Sequence, residues 1–353
     1  MLRYFCTASL ILALASCGAG KGRINTTPLP AIVPGTDYGK GVSAAAAGEI
    51  AGTLVIAGGA NFPDTPAAEG GEKRFYDEIF TLEQGASQWR FAGSLPQPVA
   101  YGASFALDDC IIVAGGANAD GSLADVCKVT LNKCTVTPMS PLPIPVEQAA
   151  SARNGEKLYI AGGVTNGTVS LGVYACDLAD DGTWRMIAEL PEPFVQPVAA
   201  ATERYLYIWG GFDPTVKCAA DYGYRYDLRE RAWSSIAGLP DGGTAVGSTA
   251  VQQGNGTMWL VGGVNREIFN AALNMPADSN GEYLSHPAEW YRFRNCIMKF
   301  DPQSESWETV GEFPASARAG AALAVSEQSG LTILNGEEKP GIRSTENNVL
   351  KIL

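Results

Sequence analysis

An apolar run ending in two glycines recurs along this chain. It stands at Leu54–Gly59 (LVIAGG), Ile111–Gly116 (IIVAGG), Leu158–Gly163 (LYIAGG), Leu206–Gly211 (LYIWGG) and Trp259–Gly263 (WLVGG). A sixth copy, Leu331–Glu337 (LTILNGE), has Asn335 in place of the first glycine and Glu337 directly after the second. The doublets begin at 58, 115, 162, 210, 262 and 335, so the intervals are 57, 47, 48, 52 and 73 residues. Self-similarity at a period of about 50 means a repeat fold, in which each unit buries its apolar face only against its neighbours. The glycines permit positive φ and close approach of backbones. They are not a phosphate cradle, because no Gly-x-Gly-x-x-Gly opens a helix and no long helical periodicity is present.

Three further marks keep the same phase. A short Asp-containing turn precedes a tryptophan, as in Tyr226-Asp227-Leu228 before Trp233, Cys176-Asp177-Leu178 before Trp184 and Phe300-Asp301-Pro302 before Trp307. Blade one has Thr81-Leu82 and Trp89; blade two has Thr130-Leu131, with Cys134 where the tryptophan would stand. These read as hairpins. A Leu-Pro or Phe-Pro pair closes each unit at Leu95, Leu142, Leu190, Leu239 and Phe313, with an extra copy at Leu29-Pro30. Small-residue strands such as Ala100–Leu107 and Ala319–Val325 precede the doublets and suit a crowded central channel. The period fits the four-stranded blades of a kelch-type β-propeller. The expected fold is therefore all-β with six blades in one domain. Its ring is closed by an N-terminal strand around Ile24–Leu29 that completes the last blade, which removes exposed sheet edges.

The 353 residues carry a formal net charge of -12, with Asp and Glu dispersed. No basic stripe is visible to neutralise phosphates, so a nucleic-acid partner is not expected. An anionic ligand would need a local cationic pocket. The N-terminus reads as a targeting segment, with Arg3 followed by the short apolar run Leu10–Ala15. Leu14-Ala15-Ser16-Cys17 resembles the lipobox of bacterial lipoproteins. That resemblance implies a signal peptide over 1–16 and lipidation of Cys17; an ordinary secretory peptide is the other reading. Residues 17–23 would be a flexible tether and 24–353 the propeller. The expected location is the periplasm, with a lipid anchor in the bacterial outer membrane as the sole membrane contact. Six cysteines remain in the folded part, in a compartment that permits disulfides. Of these, Cys127 and Cys134 could face each other across a hairpin, or stay as free thiols like the rest.

His286 is the single histidine. This excludes His-rich metal sites and any Ser-His-Asp or Cys-His arrangement not built on it. Two connections are longer than the repeat needs, from Asn61 to Tyr76 and from Asn265 to about Asn295. Both should emerge on one face, where long loops usually form a binding site. The same face collects Asn61, Asn118, Asp213 and Asn265, just after their doublets, and Asn166 slightly later. Turn chemistry competes with ligand binding as the reason for each. The segment Asn335–Arg343 (NGEEKPGIR) stands apart. Glu337 leaves a buried strand at the loop face, where partial desolvation favours a useful base. Pro340-Gly341 supports a turn that can fold Arg343 back, and its planar fork suits a carboxylate. A charged surface hairpin is the plainer reading of the same residues.

Asn335–Arg343, together with Gly262–Asn270 (GGVNREIFN), resembles the bacterial sialic acid mutarotases, also called N-acetylneuraminate epimerases. With Gly58–Phe62 (GGANF) opening the first blade, the order resembles their cyclically permuted branch. The resemblance covers about Ile24 to Leu353. It implies Glu337 as proton acceptor and Arg343 as a substrate-binding partner, with Lys339 or Arg266 helping to hold the carboxylate of a sugar acid. Asn265, Asn61 and Asn118 are further candidates for substrate contact. The implied activity is interconversion of the anomers of N-acetylneuraminate, an isomerase reaction needing neither metal nor cofactor. A non-catalytic kelch lipoprotein that binds glycans or a protein partner is the alternative.

Overall fold

A computed structural model describes residues 24–276 and 280–352. The expected signal peptide, Cys17 and the tether lie outside the described residues. Six four-stranded antiparallel sheets follow one another round a ring. Blade one runs Ala46–Ile50, Thr53–Ala57, Glu78–Glu83 and Arg90–Ser94 from the axis outward. The inner strands of blades two to five are Ala103–Ala106, Ala150–Asn154, Val198–Ala201 and Ser248–Gln252. Blade six is made of Ala322–Ser326, Gly330–Leu334, Asn347–Ile352 and, as its outermost strand, Ile24–Leu29. Ile24 pairs with Ile352 and Leu29 with Asn347, so the N-terminal strand closes the ring as the extra Leu-Pro implied. Each inner strand packs against the inner strands on either side, blade six against blade one included.

The doublets sit where blades touch. In five of the six corners, the second residue's N–H donates to a carbonyl of the next blade: Gly59 to Val99, Gly116 to Val146, Gly163 to Phe194, Gly263 to Arg318 and Gly336 to Val42. The first residue then lies against that neighbour. A Cβ on Gly58 (φ 67) would meet the Val99 carbonyl oxygen at 2.3 Å, and one on Gly262 (φ 69) would meet that of Arg318 at 2.1 Å. The second strands supply the core, with Val55, Ile56, Leu158, Leu206, Ile208 and Ile333 fully enclosed. Each such side chain contributes about 1.5–3 kcal/mol relative to exposure. The turn tryptophans return inward: Trp89 and Trp184 are buried, and Trp89 Nε1 donates to the Pro30 carbonyl at 3.0 Å, beside the closing strand.

Two expectations need correction. Cys127 and Cys134 are free thiols. The hairpin register pairs Thr130 with Thr135 and Cys127 with Pro138, which leaves Cys134 in the turn itself and out of reach of Cys127. The long blade-five connection, read as loop, contains two helices, α1 (Arg266–Leu273) and α2 (Asn280–Ser285). At eight and six residues they are too short for periodicity to reveal.

Candidate functional site

The residue after each doublet occupies one equivalent place. Ala60, Ala117, Val164 and Phe212 bridge to Ser43, Ala100, Glu147 and Val195, just before the inner strand of the same blade. Val264 donates to the Val246 carbonyl in the same way. In blade six the bridge is Glu337 to Ala319. A carboxylate thus stands where the other five blades have an apolar side chain.

Its surroundings are built by the hairpin Glu337–Lys339 and Ile342–Arg343, which sets Glu337 opposite Arg343. Pro340 and Gly341 (φ 84) make the turn. Glu337 Oε1 accepts from Arg343 Nη1 at 2.5 Å and from the Gly341 N–H at 2.7 Å. Its other oxygen has no partner among the described residues. Arg343 is 3 % exposed and also donates from Nε to the Ala60 carbonyl at 3.2 Å, at the corner of blade one. Beneath the hairpin, Asn335 adopts the left-handed conformation (φ 49) that glycine takes elsewhere. Its amide donates to Asn347 Oδ1 at 3.1 Å, and the buried Arg318 donates to its carbonyl at 2.8 Å. Asn is the side-chain-bearing residue that best tolerates this conformation.

Glu337 lines a central cavity of about 240 Å³ walled by the inner strands. At its mouth a ring of six residues, one per blade, lies in the left-handed region: Ala44, Tyr101, Gln148, Gln196, Gly247 and Gly320. They are chained by hydrogen bonds, Ala44 to Gly320, Tyr101 to Ala44, Gln148 to Tyr101, Gln196 to Gln148 and Gly320 to Gly247, all through backbone groups. The sixth link runs from Gly247 N–H to the Gln196 side chain at 3.0 Å. Left-handed φ costs a side-chain-bearing residue about 1 kcal/mol or more. Three blades accept that cost to place Tyr101, Gln148 and Gln196 on the cavity wall.

The two long connections meet over the blade-six hairpin. Helix α2 packs against Ala67–Glu69 of the blade-one connection. Lys339 Nζ donates to the His286 carbonyl at 2.7 Å and reaches that of Leu284 at 3.5 Å. His286 stacks on Trp290 at 3.9 Å. Tyr283 and Tyr291 lie near Glu337. Burial first, and then the nearby Tyr291 and the Glu337 charge, push the Tyr283 hydroxyl up to about 12; burial raises Tyr291 likewise.

Other sequence candidates fall elsewhere. Asn61 is buried, donating to the Asp37 and Gly41 carbonyls and accepting from Tyr76 Oη. Asn265 caps α1, its side chain accepting from Ile268 N–H at 3.1 Å. Arg266 turns to blade four, pairing with Asp221 at 2.7 Å. Asn118 binds Gln97 at 3.1 Å and its own turn at Asp120. Of the nominated residues, Glu337, Arg343 and Lys339 therefore share one hairpin, and the other four do not join them. The ring residues carry no motif, but their spacing is a signal in the sequence. They stand fourteen residues before their doublets in blades one to four and fifteen in blades five and six.

A family profile for N-acetylneuraminate epimerase matches residues 21–137 and 139–352. The N-acetylneuraminate epimerase of Pasteurella multocida (strain Pm70) is 32% identical over 217 residues, covering 58% of this chain and 56% of that protein. That of Haemophilus influenzae (strain PittEE) is 30% identical over 222 residues, 59% of this chain and 57% of the relative. N-acetylneuraminate epimerase 1 of Escherichia coli O6:H1 is 28% identical over 212 residues, 54% and 56% of the two chains. The chain thus spans somewhat over half the length of these relatives. The solved structure of YjhT superposes with a TM-score of 0.65 at 16% identity, over 92% of this chain and 99% of the other, which shows a shared fold.

Proposed function

Because the chain belongs to the N-acetylneuraminate epimerase family, we propose that it is a mutarotase, an isomerase that interconverts the α and β anomers of N-acetylneuraminate. The observation that carries this reading is the carboxylate of Glu337, which lines the cavity from a position where each other blade has an apolar residue. One Glu337 oxygen is held by Arg343 and Gly341, which fixes the group and leaves the second oxygen to exchange a proton with a ligand. The anomeric carbon of the substrate carries a hydroxyl, the ring oxygen and a carboxylate. Glu337 takes the hydroxyl proton as the carbonyl forms and the ring carbon–oxygen bond breaks. The same proton passes to the departing ring oxygen, so the open keto acid is neutral at both positions. Rotation about the adjacent bond presents the opposite carbonyl face, and the reverse sequence closes the other anomer. Such acid–base assistance supplies about 10²–10⁴-fold, sufficient for a reaction that already proceeds unaided.

The direct test is NMR of freshly released α-N-acetylneuraminate with and without micromolar protein. Faster appearance of the β anomer is expected; an unchanged rate overturns the reading. We further infer export and lipidation at Cys17, supported by the Leu-Ala-Ser-Cys pattern. Radiolabelled palmitate should enter the wild-type chain in a bacterial host and not a Cys17→Ser variant.

A further inference from the structure

We propose that Lys73 receives the substrate's carboxylate and that Tyr101 holds it in position; this rests on the mutarotase reading above. The argument is one of charge. Glu337 and Arg343 neutralise each other in a shared ion pair of 2.5 Å. A sugar acid adds one uncompensated negative charge beside them, and a second cation must answer it. Arg153 lines the cavity, but at the far end of the inner strand Ala150–Asn154, away from the doublets, and the two cations nearer the Glu337 face are engaged. Lys339 is fixed on the backbone carbonyls of the blade-five connection, and Arg266 is paired with Asp221.

Lys73, in the blade-one connection, differs from its neighbour in sequence. Arg74 is held by Asp37 at 2.5 Å and Asp64 at 2.9 Å. Among the described residues Lys73 has no carboxylate within ion-pair reach. Its Nζ donates to Tyr101 Oη at 2.9 Å and lies 5.8 Å from the centre of the Phe62 ring. The Arg343 guanidinium lies 5.4 Å from the same ring. Two cations therefore approach one aromatic ring, and of the two only Arg343 has a carboxylate partner, so an incoming carboxylate would be stabilised at Lys73. Tyr101 joins this group to the reacting end of the site, since it and Glu337 line the same cavity. It does so from a left-handed backbone (φ 62), at the place where blades five and six have Gly247 and Gly320. An aromatic residue kept there against its conformational preference is a residue whose side chain is used.

The test uses the full chain, with Lys73→Met, Lys73→Arg and Tyr101→Phe. Lys73 is exposed, so its variants should fold as the wild type does. Anomerisation is followed by NMR on N-acetylneuraminate and on its methyl ester. Binding of the α-methyl glycoside of each, which cannot open its ring, is followed by calorimetry. Lys73→Met is expected to raise KM and Kd for the acid about tenfold to a hundredfold. It should leave kcat and both ester values near wild type. Lys73→Arg should restore most of the loss, and Tyr101→Phe should give a smaller loss of the same kind. Equal losses on acid and ester, or none, overturn the proposal. Wild-type protein that binds the acid glycoside through Lys73 but does not speed anomerisation removes the mutarotase reading and leaves Lys73. Fast anomerisation with an unaltered Lys73→Met variant removes Lys73 alone. Wild-type protein that binds neither glycoside and catalyses nothing overturns both.

Discussion

In blade one the chain leaves its second strand through Gly58-Gly59-Ala60-Asn61; in blade six it leaves through Asn335-Gly336-Glu337-Glu338. The two corners adjoin, and Arg343 of one binds the Ala60 carbonyl of the other. Their polar residues nevertheless serve opposite ends. Asn61 stands third after the first residue of its doublet, turns inward and satisfies two carbonyls and a tyrosine. Glu337 stands second and reaches the cavity wall. Successive residues of an extended chain point to opposite sides. Asn118, Asp213 and Asn265 share the phase of Asn61, which is why their polar side chains end in turns and caps. A polar residue near a corner is no evidence of a site; its phase relative to the doublet is.

The largest effect that would break this contrast is chemical. Glu337→Gln keeps the shape and removes the proposed base, so under the mutarotase reading the anomerisation rate should fall about 10²–10⁴-fold. Its melting temperature should stay close to wild type, and NMR of the released α anomer reads the rate. A variant with full activity would remove Glu337 as the base. Next comes the first position of each corner. Gly58→Ala places a Cβ 2.3 Å from the Val99 carbonyl oxygen at φ 67. We expect a loss of about 2–4 kcal/mol in urea unfolding. A neutral result would show that blade one has the room that Asn335 has in blade six. Asn61→Ala should cost about 2 kcal/mol of stability, since it strips partners from buried carbonyls and from Tyr76. The kcat/KM of the folded protein should not change; a selective rise in KM would return Asn61 to the substrate. The smallest effect sits on the ring. Gln148→Gly relieves a left-handed glutamine and should shift stability by no more than about 1 kcal/mol, while KM rises. Unchanged KM would mean that the ring glutamines serve only the channel's shape.

The blade count, the closing strand and the turn that brings Arg343 back beside Glu337 were legible because each depends on near neighbours or on a fixed period; that the Arg343 fork binds Glu337 itself was not. A doublet marks a strand end, and Pro340-Gly341 marks a turn that returns Arg343 to Glu337 across six residues. Other features depend on contacts between repeats. Arg266 and Arg343 look alike as cations on one face, but α1 docks on blade four and commits Arg266 there. The wall residues Tyr101, Gln148 and Gln196 carry no motif, and only the constant offset from their doublets joins them. Cys127 and Cys134 show the same limit at short range, because the turn's register decides which residues face each other.

The pairing of Ile24–Leu29 with Asn347–Ile352 also orders events in time. Synthesis delivers Ile24–Leu29 long before its partner strand; Asn347 binds the Pro30 carbonyl across 317 residues of chain. Blades one to five can assemble as they emerge, each leaning on the next. The corner of blade six cannot, because Gly336 needs Val42, Arg343 needs Ala60, and its sheet needs the strand made first. Contacts of such long separation form slowly. The carboxylate's setting thus comes into being only as the ring shuts, and a chain cut short before Asn347 should leave the Glu337 corner unformed.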